Sequence, residues 1–189
     1  MNRWLQASMG VLLWLTASAA AQAQETTAQP VAAGGGVDGV RFRGGAAFTG
    51  GVELVPDANF TAVMFGVDGR LGVQINHLVG AYLATHLSFG SGEVGFGSGL
   101  TGTFAFLAMA DFTFNDLFFA GAGFGYTIFN NPGGVSLGFR AGVYPVKSVS
   151  SHKARRRGLM LSLESRIVFL GDPYGAGFQV MGAIGYEAF

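Results

Sequence analysis

From Val40 to Phe189 apolar and polar side chains alternate along one run after another, with short turn-forming clusters between the runs. A period of two places successive side chains on opposite faces of a β-strand. In the first run Val40, Phe42, Ala46, Phe48, Val52 and Leu54 share one face, and Arg41, Arg43, Thr49 and Glu53 the other. Pro56-Asp57-Ala58-Asn59 then turns the chain. The second run sets Val63, Phe65, Val67, Leu71, Val73 and Ile75 against Asp68, Arg70, Gln74 and Asn76. The third sets Leu83, Leu87 and Phe89 against Tyr82, His86 and Ser88, and a glycine-rich loop is expected through Glu93 and Phe96. The fourth opposes Phe104, Phe106, Phe112 and Phe114 to Thr103, Met109 and Asp111. Asn115-Asp116 and Asn130 to Gly134 bound a fifth run, Phe118 to Ile128. Three more follow, with Arg140 and Tyr144, then Ser162, Glu164 and Arg166, then Gln179 and Glu187 on their polar faces.

Eight strands result, many of them reaching the roughly 9 to 11 residues that cross a bilayer when tilted. The 32 glycines argue against helices, since each costs about 1 kcal/mol relative to alanine there. The continuous face is rich in phenylalanine and the other is small, polar or charged. A narrow lumen has no room for that many Phe, Leu and Val side chains, so the apolar face points outward to lipid. The predicted fold is all-β: an eight-stranded antiparallel up-and-down transmembrane barrel over residues 37–189.

Ahead of it, Arg3, the apolar stretch Trp4 to Ala17 and the small-x-small site Ala21-Gln22-Ala23 read as a secretory signal peptide over residues 1–23. Residues 24–36 form a polar, glycine-rich lead-in without periodicity.

Charge changes the picture most. The inward face carries five cations, Arg41, Arg43, Arg70, Arg140 and Arg166, and five anions, Glu53, Asp68, Asp111, Glu164 and Glu187. An eight-stranded barrel is just wide enough for side chains to fill, so these ions are desolvated and must pair. Barrel closure sets Glu187 beside Arg41 or Arg43. Inward glycines, among them Gly45, Gly66, Gly72, Gly121, Gly123, Gly125 and Gly142, leave room for the arginines to reach. The expectation is a sealed, cross-braced lumen; the alternative is a narrow or gated channel.

With zero formal net charge the chain is not expected to bind nucleic acid. Without cysteine it forms no disulfide and no thiolate metal site. His77 and His152 lack a third ligand nearby in sequence, so zinc and other cofactors are not expected.

Signal peptide, eight alternating strands, charged lumen and terminal Phe189 together resemble the small outer-membrane barrels of the OmpA/OmpX type. The resemblance spans most of the mature chain and is one of pattern. It implies a Gram-negative outer membrane reached by signal-dependent export, contact with lipid and lipopolysaccharide, and a monomer. It also implies that Phe189 is an assembly signal for the barrel-insertion machinery. Tyr186 has the opposite parity from Phe189, a departure from that pattern that a bulge near Glu187 or Ala188 would reconcile. The same analogy puts both termini in the periplasm, with the turns near Pro56, Glu93, Pro132 and Pro173 outside.

The basic connection Lys147 to Arg157 then lies on the periplasmic side, where Lys147, Lys153, Arg155, Arg156 and Arg157 are candidate contacts for phosphate head groups or another anion. Some barrels of this size modify lipid A, a reaction that takes a nucleophile and a base. His86 and Ser88 share a face, and Glu93 is the candidate to orient the histidine. The His-x-Ser spacing resembles a fragment of the deacylase signature, but it lies mid-chain and no asparagine follows Ser88. Both side chains point into the lumen, away from lipid, so no enzyme is expected.

Overall fold

A computed structural model describes residues 40–76, 78–94, 97–115, 117–129, 133–149 and 156–188. Eight strands account for nearly all of them: β1 (Arg41–Val55), β2 (Phe60–Gln74), β3 (Val79–Val94), β4 (Gly97–Phe114), β5 (Phe118–Phe129), β6 (Gly133–Val149), β7 (Arg156–Gly171) and β8 (Gly175–Ala188). Each strand pairs antiparallel with the next, and β8 returns to β1 from Gly44↔Ala188 to Leu54↔Phe178, closing the barrel. Strand lengths run from 12 to 18 residues, enough to cross a bilayer at the tilt of a closed barrel.

Burial is inverted relative to a water-soluble protein. Phe48 is 72% exposed on the outer face, whereas Arg43, Glu53, Asp111 and Glu187 are fully buried on the inner one. Phe65, Leu83, Phe106, Phe124, Leu163 and Ile184 continue the outer apolar belt around the circumference. With no edge strand left unpaired, the backbone hydrogen bonds are satisfied without water. The structure is therefore a membrane barrel, lipid-facing outside and polar within.

The turns follow local chemistry. Pro56–Ala58 form one turn of 3-10 helix that ends on Asn59, in the left-handed region at φ 48°. At the opposite end of the barrel, Asn76 Oδ1 accepts from the backbone N–H groups of Leu78 and Val79, each at 2.8 Å, and so holds the β2–β3 connection. Asn115, at φ 51°, turns β4 into β5.

Two expectations are corrected. The expected loop around Glu93 is strand: β3 runs to Val94 and β4 begins at Gly97. Gly90 and Gly92 are inward positions, and a Cβ there would lie 2.6 Å from Met64 Sδ and 2.6 Å from the Phe60 ring respectively. The glycines make room for lumenal side chains instead of marking a loop. The basic connection is also shorter than expected, because Lys147↔Gly158 through Val149↔Arg156 are paired. A register shift between Val143 and Val146 precedes that extension, and Pro145, which has no N–H to give the ladder, falls inside it.

Several earlier expectations lie outside the described residues: the signal peptide and lead-in, Lys153, Arg155 and Phe189. Of Lys147, Arg156 and Arg157 only the backbone is described.

Candidate functional site: the lumenal charge network

Near the terminal end of the barrel, where β1 begins and β8 ends, six strands send side chains into one ring. Arg43 on β1 donates through Nε to Glu187 Oε1 at 2.6 Å and through Nη2 to Asp111 Oδ2 at 2.7 Å. Its Nη1 reaches Gln74 Oε1 at 3.2 Å. Arg140 on β6 stands across from it, donating to Asp111 Oδ2 at 3.2 Å and Glu187 Oε2 at 3.5 Å. Two tyrosines complete the acceptors: Tyr82 donates to Asp111 Oδ1 at 2.7 Å and Tyr144 to Glu187 Oε2 at 2.9 Å. Each carboxylate thus receives two guanidiniums and one phenol, so two arginines and two acids neutralise each other away from water. Arg140 also lies over the Phe119 ring, 4.3 Å from its centroid, and over Tyr82 at 5.6 Å.

Glycine makes that ring possible. A Cβ on Gly121 would sit 2.0 Å from Asp111 Oδ1, and one on Gly80 would sit 2.2 Å from Arg43 Nη1.

Above the ring lies a second level. Arg70 bonds Glu164 in a short ion pair and Asp68 Oδ2 at 3.3 Å, while Ser162 donates to Glu164 Oε1 at 3.0 Å. His86 Nδ1–H donates to Asp68 Oδ1 at 2.5 Å, across the directly opposed pair Asp68↔His86. Met160 Sδ sits between the levels, accepting from Arg140 Nη2 at 2.8 Å and Arg70 Nη1 at 3.0 Å. A cavity of about 20 Å³ opens here, lined by Asp68, Arg70, His86, Arg140, Glu164 and Arg166 among others.

At the third level the charges are separated by an amide. Arg166 donates to Gln179 Oε1 at 2.5 Å, and Gln179 Nε2 donates to Glu53 Oε2 at 3.3 Å. Thr103 adds a 2.6 Å bond to the same oxygen. Beyond it, toward the Pro56 and Pro173 turns, the lumen becomes apolar: Val55, Phe129, Val168 and Leu170 are buried together, with Ala58 and Phe60 packed on them.

The structure therefore brings nine of the ten expected lumenal charges into these three levels, while Arg41 stands half-buried at the start of β1. Of the two arginines expected beside Glu187, Arg43 bonds it. Tyr82, Tyr144, Gln74 and Gln179 were readable as inward by parity; Phe119 and Met160 were missed, although each shares parity with a small or polar inward neighbour.

No protein-family model matches the chain, and no curated protein sequence does either. Solved structures do. The outer membrane protein OprG from Pseudomonas aeruginosa aligns over 82% of this chain and 98% of its own, at 11% identity and a TM-score of 0.45. Neisserial surface protein A aligns over 80% and 97%, at 13% identity and a TM-score of 0.46. The attachment invasion locus protein Ail of Yersinia pestis aligns over 77% and 97%, at 15% identity and a TM-score of 0.43. The barrel assignment stands on the closed strand order and the inverted burial of this chain.

Of the three residues that a lipid-modifying alternative would use, one does not join the others. Glu93 is exposed and of opposite parity to His86, and lies seven residues along β3, about 23 Å at a strand's rise, so it cannot orient the imidazole. Asp68 takes that place. Ser88 Oγ and His86 Nε2 are both buried and neither has a hydrogen-bond partner, so the hydroxyl is not bonded to the base. A general base must be within hydrogen-bond reach of the proton it takes. Among the described residues no group of three His, Cys, Asp or Glu side chains converges to hold a metal ion.

Proposed function

We propose that the chain is a non-catalytic outer-membrane barrel of a Gram-negative envelope, exported by its signal peptide and assembled as a monomer. Its lumen is a brace, not a conduit. The observation that carries this reading is the ring of Arg43, Arg140, Asp111 and Glu187, closed by Tyr82 and Tyr144, at one end and the apolar cap of Val55, Phe129, Val168 and Leu170 at the other. An ion entering the lumen would have to displace buried charge pairs and then pass the apolar cluster of Val55, Phe129, Val168 and Leu170.

On this reading the protein contributes to envelope integrity, or to surface interaction through its hairpin turns. Its contacts are outer-membrane lipid and lipopolysaccharide, with the barrel-insertion machinery engaged during assembly through Phe189. The basic residues Lys147, Lys153, Arg155, Arg156 and Arg157 would meet anionic head groups at the terminal end, where like-signed charges add about 1 kcal/mol each near an anionic surface.

Purified barrel reconstituted in a planar bilayer tests the reading. The expected record is flat, without steady single-channel steps; steps that change size on Arg140→Ala would overturn it in favour of a narrow channel. Location is checked separately, by co-fractionation with outer membrane and by a gel mobility that shifts on boiling.

A further inference from the structure

Among the described residues, two nitrogens buried in the lumen have no hydrogen-bond partner: Arg140 Nε and His86 Nε2. Both side chains line the same cavity of about 20 Å³, and both are pinned. Arg140 is held through its two Nη atoms by Tyr82, Asp111, Met160 and Glu187, so its Nε–H cannot turn to another acceptor. His86 is held through Nδ1 by Asp68, which fixes the direction of Nε2. The other charged walls are engaged too: Arg70 with Glu164 and Asp68, and Arg166 with Gln179. A buried polar group without a partner forfeits its full hydration, and native interiors rarely leave one so. The cavity exceeds the roughly 10 to 15 Å³ that one water needs, and it offers the polar partners such a water requires.

We infer that this cavity is a binding site for a single water-sized hydrogen-bond acceptor, a water molecule or a chloride ion, held by Arg140 Nε and His86 Nε2. Arg140 Nε–H only donates, so the occupant must accept. The Nδ1 proton of His86 points at Asp68, so a neutral ring presents a lone pair at Nε2 and a protonated ring presents N–H. Water serves both forms, donating to the first and accepting from the second, whereas chloride serves only the protonated one. The occupant joins the Arg43–Arg140 ring to the Asp68–His86 pair, a second link between the two lower levels beside the one through Met160 Sδ. This rests on the burial of the lumen alone, whatever the barrel does in the envelope.

Crystals of the mature barrel in detergent, grown with sodium bromide replacing chloride, test it. The expected result is a density peak within hydrogen-bond distance of both nitrogens. An anomalous bromide signal at the peak identifies an anion, and its absence identifies water. An empty cavity overturns the inference. Ala84, on the cavity wall, supplies the second arm. Ala84→Val should abolish the peak, and a peak that persists unchanged in that variant would show that the cavity is not its site.

Discussion

The two ends of the lumen solve the same packing problem with opposite chemistry. At the terminal end the inward positions are filled by a ring in which every contact is directional: Asp111 and Glu187 each receive two guanidiniums and a phenol. At the hairpin end they are filled by Val55, Phe129, Val168 and Leu170, whose contacts have no preferred angle. A buried ion pair is not in itself strong evidence of stability, since desolvation offsets much of its attraction. What it adds is intolerance. Removing one partner strands the others, whereas a thinned apolar cluster loses contact area and partly collapses. The ring should therefore set strand register and resist substitution, and the cap should seal the lumen and accept it.

Arg43→Ala gives the largest expected effect. It leaves Asp111 and Glu187 sharing one guanidinium of the ring, Arg140, and truncating one partner of a buried pair costs about 3 to 5 kcal/mol. The measurement is the urea midpoint of the folded, heat-modifiable band in detergent; a midpoint shifted no further than that of an exposed outer-face variant would break the comparison. Leu170→Ala should cost less, about 2 to 3 kcal/mol, the low end for a buried leucine at a site 9% exposed and able to relax. It should also admit water at the hairpin end without destroying the barrel. Gly121→Ala comes next, at about 1 to 3 kcal/mol, because the added methyl would press on the Asp111 carboxylate and the ring must shift to admit it.

Alternation alone was enough to read the barrel, because a period of two is the geometry of a strand and the lipid-facing positions repeat it from Phe42 to Tyr186. It also put Arg43, Asp111, Arg140 and Glu187 on one face. It could not say which of them meet, since contact across a lumen depends on how eight registers stagger around it, as in the pairing of Gly45 with both Glu187 and Arg70. Phe119 escaped because an aromatic between Phe118 and Ala120 breaks no visible pattern. The cap was illegible for the same reason: Leu54-Val55, Ile128-Phe129 and Ile167 to Leu170 are apolar on both faces, so parity carries no contrast there. Glycine misled in one place, where Gly90 and Gly92 read as a loop although each sits in β3 to clear a lumenal side chain.

The two most conservative substitutions sharpen the comparison best, because they hold shape nearly constant. Tyr144→Phe keeps the ring packed at 4.9 Å against Phe119 and removes the hydroxyl with its hydrogen bonds, among them the one donated to Glu187 Oε2 and the one accepted from Arg43 Nη2 at 3.4 Å. A buried carboxylate short of one donor should lose about 1.5 to 3 kcal/mol, the range for hydrogen bonds to charged groups. Leu170→Met, a volume-conserving change in the cap, should stay below about 1.5 kcal/mol. The two substitutions alter similar numbers of atoms, so a difference between their urea midpoints isolates directionality from packing. Equal shifts would mean that the ring, like the cap, is held by contact area, and that its hydrogen bonds contribute little beyond filling the space.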